Sequence, residues 1–144
     1  MILVFGIFIT LLGLICWGGQ VITMISPKLA ARLGVAEPES EVDPAFAADF
    51  RAEATWDSFI LWNLPIAGIL LCINNPLWVY FGLYGGSTYL YFSGRNILQR
   101  IYMGRRNINI GPPINVKIAY MFSVLWGVSG ITTIILAIHE LLTK

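Results

Sequence analysis

Four apolar segments constrain the fold of this chain more than any other feature of its sequence. They occupy residues 1–25, 58–74, 76–94 and 114–142, and only 12% of the chain is charged. Soluble domains carry about 25% charged residues, and a helix needs about 20 mostly apolar residues to cross a bilayer. A chain of 144 residues is too short to hide so much apolar sequence in a core, so its surface is expected to face lipid. The sequence therefore predicts an all-α integral membrane four-helix bundle, with residues 1–144 as one domain.

We interpret the first segment as a retained membrane-spanning helix rather than as a cleaved signal peptide. The segment contains no charged side chain, and it ends at Ser26-Pro27. A signal peptide normally has a positively charged start and a shorter apolar region. We therefore expect this first span to stay in the membrane.

The second segment is short for a membrane span, which indicates that its helix begins earlier in the chain. Asp43 and Pro44 suit the N-cap and the first turn of a helix. We therefore expect one helix from about Pro44 to residue 74, whose first turns form an amphipathic extension at the membrane surface. Pro65 has no N–H to donate and predicts a kink, where Asn63 is placed to bond a freed carbonyl.

A turn predicted at residues 74–76, Asn-Asn-Pro, makes the second and third segments an antiparallel hairpin. The longer connectors, residues 26–57 and 95–113, then lie on one side of the membrane. That side holds eight of the nine Lys and Arg residues, and only Lys144 lies opposite. The positive-inside rule makes this side cytoplasmic and places both termini outside. Since no separate targeting peptide is recognised, we expect the plasma (inner) membrane of a bacterium.

The stretch FRAEATWDSFILW, residues 50–62, places Glu53 and Asp57 directly beside apolar sequence. A carboxylate is costly there unless a partner holds it. Seven of the eight acidic residues lie in the first long connector, whereas the second has four arginines and no acid. We therefore expect the two connectors to dock on each other.

The depth of each residue in the hairpin predicts which charges pair. If the turn centres on residues 74 and 75, residues whose numbers sum to about 150 share a depth, with a rise of about 1.5 Å per residue. This register predicts Asp57–Arg95 as the inner ion pair and Glu53–Arg100 as the outer pair. We interpret the cluster as structural, with a functional site as the alternative, because both kinds of cluster perturb carboxylates.

The third segment, VYFGLYGGSTYLYFSG over residues 79–94, is rich in tyrosine and in small residues. Gly82 and Gly86 have the spacing that lets helix backbones approach closely, which favours packing within the chain. The alternative is a groove for a flat apolar ligand, with tyrosine hydroxyls as polar contacts. Tyr84, Tyr91 and Tyr120 are the candidates for that role.

Several classes of function have no support in the sequence. Cys16 and Cys72 lie in apolar runs without a ligand-spaced partner, and His139 is the single histidine, so neither a metal site nor a cofactor is predicted. A net charge of +1 and no basic recognition motif argue against nucleic acid. Charged residues are missing from the middle of every predicted span, which argues against a proton or ion pump.

Two hypotheses for function follow from these patterns. The first is a non-catalytic membrane protein that acts as an accessory subunit or as a self-associating bundle, with the lipid bilayer, another membrane protein or a second copy as its partners. The second is a binder of, or an enzyme acting on, a lipophilic molecule such as a quinone, sterol, lipid or pigment near the cytoplasmic leaflet. Its candidate ligand-binding residues are Tyr84, Tyr91, Tyr120, Glu53, Asp57, Arg95 and Arg100.

Overall fold

The computed structural model describes residues 2–143 of the chain, and within this range every regular element is helical. The prediction of an all-α fold is therefore confirmed. Met1, the start of the first predicted span, and Lys144, the basic residue expected on the opposite side, lie outside the described residues. The helices are α1 (Ile2–Ile25), α2 (Pro27–Arg32), α3 (Pro44–Ile60), α4 (Asn63–Cys72), α5 (Trp78–Arg105) and α6 (Pro113–Thr143), with a 3₁₀ turn at Glu39–Glu41.

Three stretches of helix are long and apolar enough to cross a membrane. They are α1, the combined α3–α4 stretch of 29 residues, and α6 with 31 residues. α5 has 28 residues and is also long enough, but glycine, serine, tyrosine and arginine lower its apolar character, and it is not among the three. The length and composition of three helices thus agree with a membrane protein.

The helix predicted from Pro44 to residue 74 is interrupted, and it forms two helices instead of one. α3 ends at Ile60, and Leu61 and Trp62 form a turn before α4. The physical reason lies three residues further on, where Pro65 has no N–H to donate to the carbonyl of Leu61. The side-chain amide of Asn63 donates to the carbonyl oxygen of Ile60 at 2.9 Å, so Asn63 bonds a carbonyl beside the break but not the Leu61 carbonyl that Pro65 leaves without a donor.

Most of the other helix boundaries agree with the sequence-based prediction. The Asp43 carboxylate accepts a hydrogen bond from the N–H of Ala45 at 2.8 Å and caps α3, as predicted. Asn74 has φ +54° in the turn before α5, a conformation that asparagine tolerates. α5 continues to Arg105. Residues 95–105, which were predicted as the start of a loop, therefore extend the helix of the third segment.

The helices pack in the order α1, α4, α5, α6, with α3 against both α1 and α5. Glycines allow the closest approaches. A Cβ on Gly85 would lie 2.6 Å from the backbone nitrogen of Leu64 on α4, and one on Gly86 would lie 2.7 Å from the carbonyl oxygen of Gly130 on α6. The predicted use of small residues for packing within the chain is thus confirmed for α5. α1 and α6 meet only over a short stretch, which leaves a gap between them.

Candidate functional site

A cavity of about 270 Å³ occupies this gap between α1 and α6. α3, α5 and residues 34–37 of the connector before α3 close its other sides. Ile15 on α1 and Ile118 on α6 both line the cavity and are exposed at the protein surface. The cavity therefore opens sideways between two helices, through a mouth with apolar residues at its rim.

The end of the cavity far from the connectors is lined by aromatic rings. The ring of Trp126 meets Phe92 edge-on with 5.4 Å between centroids, and the ring of Phe122 lies tilted at the same centroid distance from Trp126. The indole N–H of Trp126 donates to the carbonyl oxygen of Leu12 at 3.3 Å, which links α6 to α1 across the gap. This end is thus an apolar floor whose indole already has a hydrogen-bond partner.

The end of the cavity near the connectors is polar. Asn96 and Arg100 follow Phe92 at intervals of four residues on α5, so all three share one helix face. Arg100 Nη1 donates to Asn96 Oδ1 at 2.7 Å, and Arg100 Nη2 donates to Glu37 Oε1 at 3.0 Å. The Arg100 and Glu37 side chains are 3% and 7% exposed, so this ion pair is buried.

Two aromatic rings of α3 hold the Arg100 guanidinium in place. Its carbon lies 5.3 Å from the ring centroid of Phe46 and 5.8 Å from that of Phe50. The two rings stack on each other at 5.9 Å. Cation–π contacts of this kind gain strength where water is excluded. α3 thus positions the charged wall of the cavity through the aromatic residues of its first half.

Two polar atoms on the cavity wall are buried without a hydrogen-bond partner anywhere in residues 2–143. One is the amide oxygen of Gln20 on α1, whose side chain is 8% exposed, and the other is the Nε of Arg100. Buried polar groups are nearly always bonded, so each atom without a partner needs an explanation. The residues of the wall therefore include one unpaired acceptor and one unpaired donor, and both atoms are covered by neighbouring groups.

The two connectors dock on each other beside the cavity, as their opposite charges predicted. The backbone N–H of Asp43 donates to the carbonyl oxygen of Asn109 at 2.8 Å, and the Asn109 amide donates to the carbonyl oxygen of Glu41 at 3.0 Å. Gly111 has φ +106°, and a Cβ there would lie 2.9 Å from the Cγ of Glu37. The second connector thus supports Glu37 from behind.

A second polar cluster lies between α3 and α5. Arg95 Nη2 donates to both carboxylate oxygens of Asp49 at 3.0 and 3.1 Å, and its Nη1 forms an ion pair with Glu53. Gln99 also donates to Asp49. Asp57 is 2% exposed, and its Oδ2 has no hydrogen-bond partner among the described residues. The cluster therefore contains three carboxylates and one arginine.

Both predicted ion pairs are wrong in their partners. Arg95 pairs with Glu53 and Asp49 rather than with Asp57, because a long arginine side chain extends toward the wetter end of α3. Arg100 pairs with Glu37 rather than with Glu53. Glu37 belongs to a connector whose path cannot be deduced from the hairpin register.

The structure separates the candidate residues named from the sequence. Arg100 lines the cavity, whereas Glu53, Asp57 and Arg95 form the cluster between α3 and α5. Tyr84 and Tyr91 lie exposed on the outer face of α5, Tyr120 is half-buried, and these three tyrosines are outside the cavity lining. Sequence reasoning did not select the polar residues Gln20, Glu37, Asn96 and Asn115, nor the aromatic residues Phe92, Phe122 and Trp126, as site residues.

Two sequence signals could have identified part of this site. The first is Gln20, a polar residue within an apolar run. The second is the spacing of Asn96 and Arg100, which lie four residues apart and therefore on the same face of α5.

Within residues 2–143, no group of three or more His, Cys, Asp or Glu side chains is arranged to hold a metal ion. Comparisons with protein families, with curated proteins and with solved structures found no match.

Proposed function

We propose that this chain is a four-span membrane protein that binds an amphipathic small molecule in the cavity between α1 and α6. The observation that carries the proposal is the polarity gradient of the cavity. Arg100, Asn96 and Gln20 lie at the connector end, and Phe92 and Trp126 form the opposite end. A concave site with apolar walls and a few convergent polar groups is typical of small-molecule binding.

Insertion in a membrane is supported by the outer surface of the helices. Large apolar side chains are exposed along α1, α4 and α6, for example Leu11, Ile69 and Val128. A soluble protein of this size rarely exposes so much contiguous apolar surface. α5 packs between α4 and α6, so it crosses the bilayer with them as the fourth span.

The proposed orientation places the connectors on the cytoplasmic side of a bacterial plasma membrane. Eight of the nine Lys and Arg residues support it. The polar end of the cavity then lies near the headgroups, and the aromatic end lies in the hydrocarbon region. A ligand reaches the site sideways through the mouth at Ile15 and Ile118, directly from the cytoplasmic leaflet.

A non-catalytic accessory role is the second candidate, and the outer face of α5 favours it. Tyr80, Tyr84 and Tyr91 are exposed there, and Tyr84 lies near the middle of residues 76–94, the proposed third span. A hydroxyl in the hydrocarbon region lacks a hydrogen-bond partner unless another helix supplies one. This face suits a partner helix from a membrane protein or from a second copy of the chain.

Ligand binding can be tested by native mass spectrometry of the chain purified in a mild detergent. We expect one small molecule per chain. The Ala119→Phe variant should reduce the bound fraction at least tenfold, because Ala119 lines the cavity and a phenyl ring fills it. Val128→Phe is the matched control, since Val128 is exposed on the same helix.

Two results would contradict the binding proposal. The first is an unchanged bound fraction in an Ala119→Phe protein whose helical circular dichroism and melting temperature match those of the unmodified chain. The second is a protein without any small molecule that carries a membrane-protein partner in fixed ratio, which would favour the accessory role instead.

The four-span topology can be tested by cysteine labelling in sealed membrane vesicles. Ser40→Cys and Asn107→Cys, each in a background with Cys16 and Cys72 replaced by alanine, should react with an impermeant maleimide from the same side. Both positions are exposed in the two connectors. Reaction of the two cysteines from opposite sides would rule out the four-span scheme.

A further inference from the structure

We infer that the ligand has an uncharged polar head that both donates and accepts hydrogen bonds, an inference that rests on the proposed function. The first observation is the charge balance of the cavity. Glu37 and Arg100 are the charged residues among those that line it, and they pair with each other at 3.0 Å. The polar end therefore has no net charge to offer a ligand.

An ionised head would be unfavourable at this end of the cavity. An anionic head that approached Arg100 would meet the carboxylate of Glu37, and a cationic head would meet the guanidinium in the same way. Either head would have to separate a buried pair or enter a site of low polarity without a counter-charge. The site therefore selects against fatty-acid carboxylates, phosphates and ammonium groups.

Three of the remaining polar groups of the cavity are side-chain amides. Gln20, Asn96 and Asn115 line it, and each amide carries both donors and acceptors. The Gln20 side chain is more than nine-tenths buried, and its oxygen has no partner in the described part of the chain. The terminal torsion of glutamine is broad, so this oxygen can turn to accept from a ligand hydroxyl at little cost.

An unpaired donor belongs to another residue that lines the cavity, Arg100. Arg100 Nε has no acceptor among residues 2–143, and it lies on the same side chain that Glu37 and Asn96 already hold. Because both unpartnered atoms are covered, a ligand head binds through the Gln20 amide, which can turn toward the cavity. Its oxygen then accepts from a hydroxyl of the head, and its N–H donates to a second oxygen. This pattern describes a neutral hydroxylated lipid.

The size of the cavity fits a head and the start of a chain. Its volume of about 270 Å³ is near the lower end of the ~300–1,000 Å³ found for small-molecule sites. The aromatic end of the cavity covers the first carbons of the ligand's acyl chain. The rest of that chain leaves through the mouth between Ile15 and Ile118. The lipid is therefore held by its head rather than enclosed.

Three probes with the same oleoyl chain can test this inference on the delipidated full chain in detergent. Monoolein has donors and acceptors, methyl oleate has only acceptors, and oleate is an anion. We expect monoolein to bind about tenfold more tightly than methyl oleate, since one hydrogen bond to a buried acceptor corresponds to about that factor. Oleate should bind more weakly than monoolein by at least the same factor.

The Gln20→Met variant tests whether Gln20 causes the preference for monoolein over methyl oleate. Methionine is also unbranched but cannot accept a strong hydrogen bond, so it should lower monoolein affinity to that of methyl oleate and leave methyl oleate unchanged. Thr132→Val, at a half-buried position of α6 outside the cavity lining, is the control and should keep the full preference.

The outcomes separate the inference from the proposed function. Oleate binding as tightly as monoolein, or a monoolein preference that persists in a folded Gln20→Met protein, would overturn the inference while leaving ligand binding intact. A folded protein that binds none of the three lipids would contradict the proposed function and the inference together.

Discussion

Arg100 on α5 and Glu37 in the connector before α3 form an ion pair in which Nη2 lies 3.0 Å from Oε1. Both side chains are almost completely removed from solvent. Ion pairs at a wet surface contribute little to stability, whereas loss of one partner from a buried pair leaves an unpaired charge inside the protein. This pair therefore fixes the first connector against α5 and shapes the polar end of the cavity.

Glu37→Gln is expected to destabilise the protein by about 3–5 kcal/mol, because it leaves the Arg100 charge buried and unpaired. Reversible unfolding in mixed micelles by a denaturing detergent would measure the change. Glu39→Gln is the matched control, since Glu39 is exposed in the same connector, and it should change stability by less than about 0.5 kcal/mol.

The double variant Glu37→Gln/Arg100→Gln distinguishes two causes of the stability loss in Glu37→Gln, namely the unpaired Arg100 charge and the lost contact between the two side chains. Removing both charges should restore part of the stability that the single Glu37→Gln variant loses, because no unpaired charge remains. Strictly additive losses in this cycle would mean that the two side chains act independently.

Gly85→Ala is expected to destabilise the protein by about 1–3 kcal/mol through overpacking. The new Cβ would lie 2.6 Å from the backbone nitrogen of Leu64, and backbone cannot move aside as a flexible side chain can. Gly94→Ala on the same helix meets nothing within 4 Å and should be neutral or stabilising by up to about 1 kcal/mol, because alanine favours helix. Equal effects of the two substitutions in a thermal melt would contradict the close approach of α4 and α5.

Opposite effects are expected from two substitutions in the cluster between α3 and α5. Arg95→Gln removes the cation that pairs with Asp49 and with the buried Glu53, and should destabilise the protein by about 3–5 kcal/mol. Asp57→Asn removes one carboxylate from a cluster with excess negative charge, and should leave stability unchanged or raise it. A large loss of stability for Asp57→Asn in the same unfolding assay would show that the Asp57 charge has a partner.

The helices of this fold were largely predictable, because their signals are local. Apolar length, the cap at Asp43 and the turn at Asn74 depend only on nearby residues, and the structure agrees with each. The break at Leu61 was harder to place. Proline removes a hydrogen bond to a residue four positions earlier, so the kink predicted at Pro65 opens as a turn before α4.

The candidate site was only partly predictable, because it depends on long-range packing. Arg100 was selected from the hairpin register as the partner of Glu53, but its actual partner Glu37 comes from a loop that contacts Asn109 and Gly111. The cavity lies between α1 and α6, which meet only over a short stretch, and no single segment encodes that separation. The sequence marks Gln20 as unusual, but it cannot show that its oxygen lacks a partner.

The final prediction concerns two tyrosines of α5, Tyr89 and Tyr84, of which the sequence analysis named Tyr84 alone as a candidate for ligand binding. Tyr89 is fully buried, and its hydroxyl donates to the carbonyl oxygen of Gly13 on α1 at 2.8 Å. Tyr89→Phe should therefore cost about 0.5–1.5 kcal/mol, the usual net contribution of one hydrogen bond. The unfolding assay used for the charged residues measures this loss.

Tyr84→Phe is the matched control for Tyr89→Phe, because Tyr84 is exposed on the outer face of the same helix. Loss of its hydroxyl should leave the stability of the isolated chain unchanged. If a partner helix covers this face, as the second candidate function requires, Tyr84→Phe should weaken that association in a cross-linking or co-purification assay. A stability loss for Tyr84→Phe equal to that for Tyr89→Phe would contradict the assignment of the inner and outer faces of α5.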